Sequence, residues 1–138
     1  NPYKAVKSMK GIALEKFHAM EHRYPTKIDL IDKYGFDGKQ VHHLIRVDDY
    51  LTRYIHGESY ENCLKPSKHL VEHMLEYKCH EICLETARKE AKEVLDHTIQ
   101  AADDFCATHT DEEDNTVRDL LQDVSYNIMK IATHNELT

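Results

Sequence analysis

Apolar residues return along this chain at intervals of three and four, which is the repeat of a helix with one buried stripe. Val6, Met9, Ala13, Phe17 and Met20 set the first such stripe, over 2–23, with Pro25 as its stop. A mixed stretch follows, with a short helical turn expected over 28–33. Tyr34-Gly35-Phe36-Asp37-Gly38 is the densest loop signal in the chain. The second long helix is expected over 37–56. Asp37 is placed to cap it, Val41, Leu44, Ile45, Leu51 and Ile55 form its apolar face, and Gly57 stops it. A loop over 58–66 leads to a short helix over 67–77.

The fourth helix is expected over 80–108, with Leu84, Ala87, Ala91, Val94, Leu95, Ala102 and Phe105 as its buried stripe. An acidic turn over 110–115 precedes a last helix over 116–133, carrying Val117, Leu120, Leu121, Val124, Ile128 and Ile131. No segment alternates in the manner of a strand, and neither a repeat nor a low-complexity tract interrupts the pattern. The pattern predicts an all-α fold, a bundle of about five helices. Val41, Leu44, Ile45, Leu84, Ala91, Leu95, Leu121 and Val124 are expected in its core.

Length and charge narrow the class. At 138 residues the chain fits one helical domain with a core of its own. No run of about 18 apolar residues is present, so no membrane partner is expected. Eighteen basic against 25 acidic residues give a formal charge of -7. That balance disfavours long-range attraction to nucleic acid but leaves room for a local basic patch. Cys63, Cys79, Cys83 and Cys106 are too sparse for a secreted disulfide framework and are read as reduced thiols of a cytoplasmic protein. The chain starts at Asn1, and it is read as the C-terminal part of a longer polypeptide.

The candidate chemistry lies on the second long helix. At 100° per residue, Lys39, His43, Arg46, Tyr50 and Arg53 fall within about 80° of one another, opposite Val41, Leu44 and Ile55. They are expected to form an exposed ridge that takes up an anion. Lys39 sits in the first turn, where free N–H groups and the helix dipole favour negative charge, and Gly38 permits close backbone approach. Arg46 offers a two-pronged phosphate contact. The competing reading is a solvated face whose cations are balanced by Asp49 and its neighbours.

The run from Tyr34-Gly35-Phe36-Asp37-Gly38-Lys39 through His43-Leu44-Ile45-Arg46 resembles a signature of a predicted nucleotidyltransferase family of the DNA polymerase β superfamily. In that family it lies in a helical domain that follows the catalytic sheet. Residues 1–17, Leu64-Lys65-Pro66, the stretch from Met74 to Lys78 and the segment from Val117 to Val124 are similar to its flanking elements. The family's glycine after the basic residue near Lys78 is absent here. The resemblance implies nucleotidyl transfer from ATP or GTP, with Mg and a nucleoside triphosphate bound by the full-length enzyme and a nucleotide or an RNA end as partner. It also implies a Gly-Ser turn and an Asp-x-Asp metal pair, which this chain lacks. Asp48-Asp49 and Asp103-Asp104 follow neither a strand nor a glycine turn. The expectation is therefore a substrate-side helical domain with no catalytic residue, metal site or cofactor of its own. The alternative is a non-enzymatic helical interaction module, adaptor or antitoxin-like, which would need an exposed apolar patch.

Three other constellations are set aside. His69, His73, Cys79 and Cys83 would span about 21 Å on a straight helix, too far for one zinc ion unless a sharp turn near Lys78 folds the pairs together. Adjacent Cys79 and His80 point about 100° apart on a helix and cannot pair as nucleophile and base. The helical RNases of the HEPN class need a His five to seven residues after an Arg, and no Arg here has one.

Overall fold

A computed structural model describes residues 1–109, and these are helical with no strand. Helix α1 spans Pro2–Ala19, α2 Ile28–Tyr34, α3 Gly38–Ile55, α4 Tyr60–Cys63, α5 Lys68–Lys78 and α6 Leu84–Thr108. Five of these are helices of seven residues or more, and α4 is a single turn. The all-α bundle expected from the stripes is the observed architecture. The expected helix over 116–133, with its core positions Leu121 and Val124, and the acidic turn over 110–115 lie outside the described residues.

Helix α3 is the centre of the bundle. It packs against α1, α4, α5 and α6, while α1 and α6 also pack on each other. Val41, Leu44, Ile45, Ala91 and Leu95 are buried as expected, joined by Val6, Met9, Ala13 and Tyr77. Leu84 is only half-buried against this core, because it stands at the first position of α6 rather than inside it.

Local chemistry sets the helix ends. Asn1 Oδ1 accepts the Lys4 N–H at 3.3 Å, and Pro2 opens α1 where no N–H is needed. That helix stops at Ala19, short of the predicted 23, so Pro25 does not end it. Met20 is buried, and its carbonyl accepts the Asp37 N–H at 2.7 Å, a tertiary bond in place of a further turn. Asp37 caps α3 by accepting the Lys39 N–H at 3.1 Å, and Gly57 follows α3 at φ +91°, a conformation that suits glycine.

The largest departure lies between α5 and α6. The pattern ran one helix from 80, but His80 adopts φ 54°. The Glu81 N–H bonds Glu76 O and the His80 N–H bonds Tyr77 O, the paired closing bonds of a Schellman motif. A histidine thus occupies the left-handed position usually given to glycine, at a cost of about 1–2 kcal/mol. Two contacts offset that cost. The His80 ring stacks on Tyr34 at 4.0 Å, and its Nε2 accepts the Gly38 N–H at 2.9 Å.

Candidate anion site

The corner between α3 and α5 brings the basic groups together. A Cβ on Gly38 would lie 2.0 Å from the Tyr77 carbonyl oxygen, so only glycine lets the first turn of α3 meet the end of α5 this closely. Lys78 is thereby carried next to the turn that bears Lys39 and His42. The backbone donors of that turn are already used: Gly38 N–H by His80, Lys39 N–H by the Asp37 side chain, and Gln40 N–H by Asp37 O. Asp37, itself buried, supplies the anion that the helix tip favours, with Lys27 Nζ at 3.9 Å. The expected approach of a phosphate to the helix tip is therefore overturned. Gly38 makes room for Tyr77, not for a ligand.

The expected exposed ridge is also not there. Its five residues do share the predicted side of α3, but His43 and Tyr50 are buried at 4% and 6% exposure, and Lys39, Arg46 and Arg53 are half-buried. The reason is that α3 is packed from nearly all directions, so its basic stripe is a seam and not a free face. Arg53 is fully engaged. It pairs with Asp49 at 3.2 Å and with Glu58, and donates to the carbonyls of Asn62 and Lys65. Arg46 donates to Leu64 O at 3.3 Å. These carbonyls close α4 and the loop after it, so the lower stripe clamps that loop. Asp49 completes the clamp by accepting from Ser67 N–H at 3.0 Å and Ser67 Oγ at 2.6 Å.

The upper stripe differs. Among the described residues no carboxylate pairs with Lys39, Arg46 or Lys78. Burial first, and then the charges of Lys78, Arg46 and Lys39, lower the pKa of the His42 imidazole to about 4. Burial comes first for His43 as well, followed by His42, Lys16, Lys39 and Arg46, and its pKa falls to about 3. The two rings stand edge to face at 5.3 Å. Both Nδ1 atoms are buried and, like Tyr50 Oη and Thr52 Oγ1, form no hydrogen bond among the described residues. An unpaired buried polar atom costs about 1–3 kcal/mol, so two in one cationic corner need an account. Burial also raises the Tyr50 phenol pKa, which keeps that group neutral.

His42 and Lys78 were missed by the pattern of the sequence. A signal for His42 was present: Lys39, His42 and Arg46 are spaced three and four apart, as close a stripe as Lys39, His43 and Arg46 at four and three. Nothing local in the sequence tied Lys78 to this stripe.

The aspartate pairs are engaged in the fold. Asp48 Oδ1 takes Thr98 Oγ1 and His97 Nδ1, each at 2.7 Å, while Asp49 faces Ser67 and Arg53. Asp103 pairs with Lys10 at 2.7 Å, and Asp104 accepts from Gln100. Neither pair aims two carboxylates at one point, so they do not fit a shared magnesium ion. Of the zinc candidates, His73 is held by Glu90, with Tyr77 donating to the same carboxylate.

Comparison with protein-family models, with curated proteins and with solved structures finds no match to this chain. No helix of the described residues is long and apolar enough to cross a membrane.

Proposed function

We propose that this chain is the substrate-side helical domain of a nucleotidyltransferase and holds the phosphates of a nucleotide or an RNA end on Lys39, Arg46 and Lys78, beside His42. What supports this reading is one observation: three cations with no carboxylate partner among the described residues act on one imidazole, in a chain of net charge -7. Uncompensated positive charge in a partly desolvated corner is stabilised by an anion, and a phosphate offers several strong acceptors to it. The chemistry of transfer, with Mg and the triphosphate, belongs to a catalytic domain that supplies its own carboxylates. The resemblance of residues 34–46 to the family signature agrees with this division of labour.

The test is equilibrium binding to the purified chain at fixed ionic strength, with a fluorescent ATP analogue and with a 5′-phosphorylated RNA oligonucleotide as probes. Lys39→Ala and Lys78→Ala should each weaken binding by about tenfold or more, the range for charged hydrogen bonds, and leave the melting temperature unchanged. Arg46→Ala should weaken binding similarly but also lower the melting temperature, because it loses the Leu64 carbonyl. Equal binding by the wild type and by a Lys39/Arg46/Lys78 triple alanine variant would refute the proposal.

The competing reading, an interaction module, has one observation in its favour. Val71 and Leu75, one turn apart on α5, are 40% and 48% exposed. Two side chains make a small patch beside what a stable partner interface requires.

A further inference from the structure

We infer that His42 is the proton-linked member of this site: a terminal phosphate dianion held among Lys39, Arg46 and Lys78 is taken up together with a proton on the His42 imidazole, so that binding tightens as pH falls. This rests on the anion-site reading above and adds to it the ligand's charge class and its pH regulation.

Several charged or titratable groups face the ring. On α3 these are Lys39, Arg46 and His43, and on α5 Lys78, while Lys16 of α1 acts on the neighbouring His43. None is acidic. In the free chain the burial of the ring and this surrounding charge keep it neutral, and its Nδ1 has no partner among the described residues. A phosphate placed among the cations reverses the sign of the field at the ring. An opposite charge within about 4–6 Å favours the protonated form by about 1–3 pKa units. From a starting value of about 4, that brings the ring into the range of mildly acidic solution. A protonated His42 then adds one more positive charge toward the ligand. A terminal phosphate, with two negative charges, acts on the ring about twice as strongly as an internal phosphodiester, with one. The coupling therefore selects phosphate ends over chain interior. Neutral His43 cannot take the same role, because it lies deeper in the core at 4% exposure.

Inorganic sulfate is the deciding probe, since it stays a dianion across the working range and any proton taken up belongs to the protein. The His42 ring resonance is titrated by NMR with and without saturating sulfate, at ionic strength matched with chloride, using the exposed His18 as reference. The midpoint of His42 should rise by about two to three units from its value of about 4. Sulfate should bind about tenfold tighter at pH 5.5 than at pH 8, and His42→Gln should bring that ratio close to one. ATP, a 5′-phosphorylated RNA and the same RNA with a 5′-hydroxyl separate the sources. At pH 7, where a terminal phosphate is largely a dianion, the first two should bind more tightly than the third. Sulfate binding with an unmoved His42 midpoint, or with the same pH ratio in His42→Gln, would overturn the inference and leave the anion site standing. An absence of binding by sulfate, ATP and phosphorylated RNA at either pH would overturn both.

Discussion

Lys39 and Arg53 lie on one stripe of α3, about 21 Å apart along its axis, and meet opposite surroundings. Around Arg53 every charge has an answer: Asp49 and Glu58 pair with it, and the carbonyls of Asn62 and Lys65 take its remaining donors. At the other end Lys39, Arg46 and Lys78 all act on the imidazole of His42, with no carboxylate on any of the three cations among the described residues. Arg46 sits between, held by a single carbonyl. A helical wheel scores these positions alike. The difference shows that the number of cations on a stripe does not define a binding site. What matters is which of them the fold has already neutralised.

The largest effect expected from this contrast comes from the neutralised end. Asp49 is buried and accepts from Arg53, Ser67 N–H and Ser67 Oγ, so it ties α3 to the start of α5. Removing one partner of a buried, hydrogen-bonded pair costs about 3–5 kcal/mol. Asp49→Ala should therefore lower unfolding free energy by about that amount in a denaturant titration. Anion binding per folded molecule should stay the same. A loss of binding without a loss of stability would reverse the assignment of the two ends.

A smaller effect is expected in the pH dependence of stability, and here the two ends of the molecule's histidine chemistry oppose each other. His42 and His43 have pKa values lowered from 6.5 to about 4 and about 3. Below pH 6.5 the unfolded chain binds protons that the folded chain refuses, so these two groups make stability fall as pH falls. The loss continues until pH reaches their folded values. Each contributes a slope of up to about 1.4 kcal/mol per pH unit in that window. His73 runs the other way. Burial works against its charged form, but hydrogen bonds and charge from Glu90 and Glu76 outweigh it and raise its pKa. Its contribution is present below the unfolded value and is lost as pH rises through the folded one. Two lowered groups against one raised group leave a net loss in acid. His43→Gln should make the fall in melting temperature between pH 6.5 and 4 shallower, whatever it does to stability at pH 8. An unchanged slope would mean that His43 already carries its proton in the fold.

How much of this was legible in advance follows from how local each cause is. The cap by Asp37, the stop at Gly57 and the stripe of Val41, Leu44 and Ile45 depend on residues within a few positions, and the chain declares them. The left-handed turn at His80 was not legible, because no glycine or asparagine marks it. Its causes are Tyr34 and Gly38, some forty residues earlier in the chain. The early end of α1 depends on Asp37 reaching the Met20 carbonyl, which is equally remote. The site followed the same rule. Lys39 and Arg46 stood out as cations on a helix, but the neutralisation of Arg53 and the arrival of Lys78 are tertiary facts. The stretch that carries the signature resemblance lies at this corner. Within it Tyr34, Phe36, Asp37, Gly38 and Leu44 serve the fold, through stacking, burial, capping and close packing.

The smallest expected effect is the one that isolates the site from bulk charge. Removing any cation from a chain of charge -7 makes it more negative, so weaker anion binding by Lys39→Ala alone could reflect net charge. Arg88 provides the matched comparison. It lies near the start of α6 with its side chain 57% exposed, and its Nε and Nη2 donate to Glu21 Oε1 at 2.9 and 2.6 Å. Exposed pairs of this kind contribute little to stability. Its charge is already balanced by Glu21, and at physiological salt charges farther apart than about 8 Å are largely screened. Arg88→Ala should thus leave both the melting temperature and the affinity for sulfate and ATP within experimental scatter, although it changes net charge by the same unit as Lys39→Ala. If the two variants weaken binding equally at 0.15 M salt, the attraction is that of the whole molecule and the upper stripe holds no site. If only Lys39→Ala weakens it, the unneutralised corner is where the anion sits.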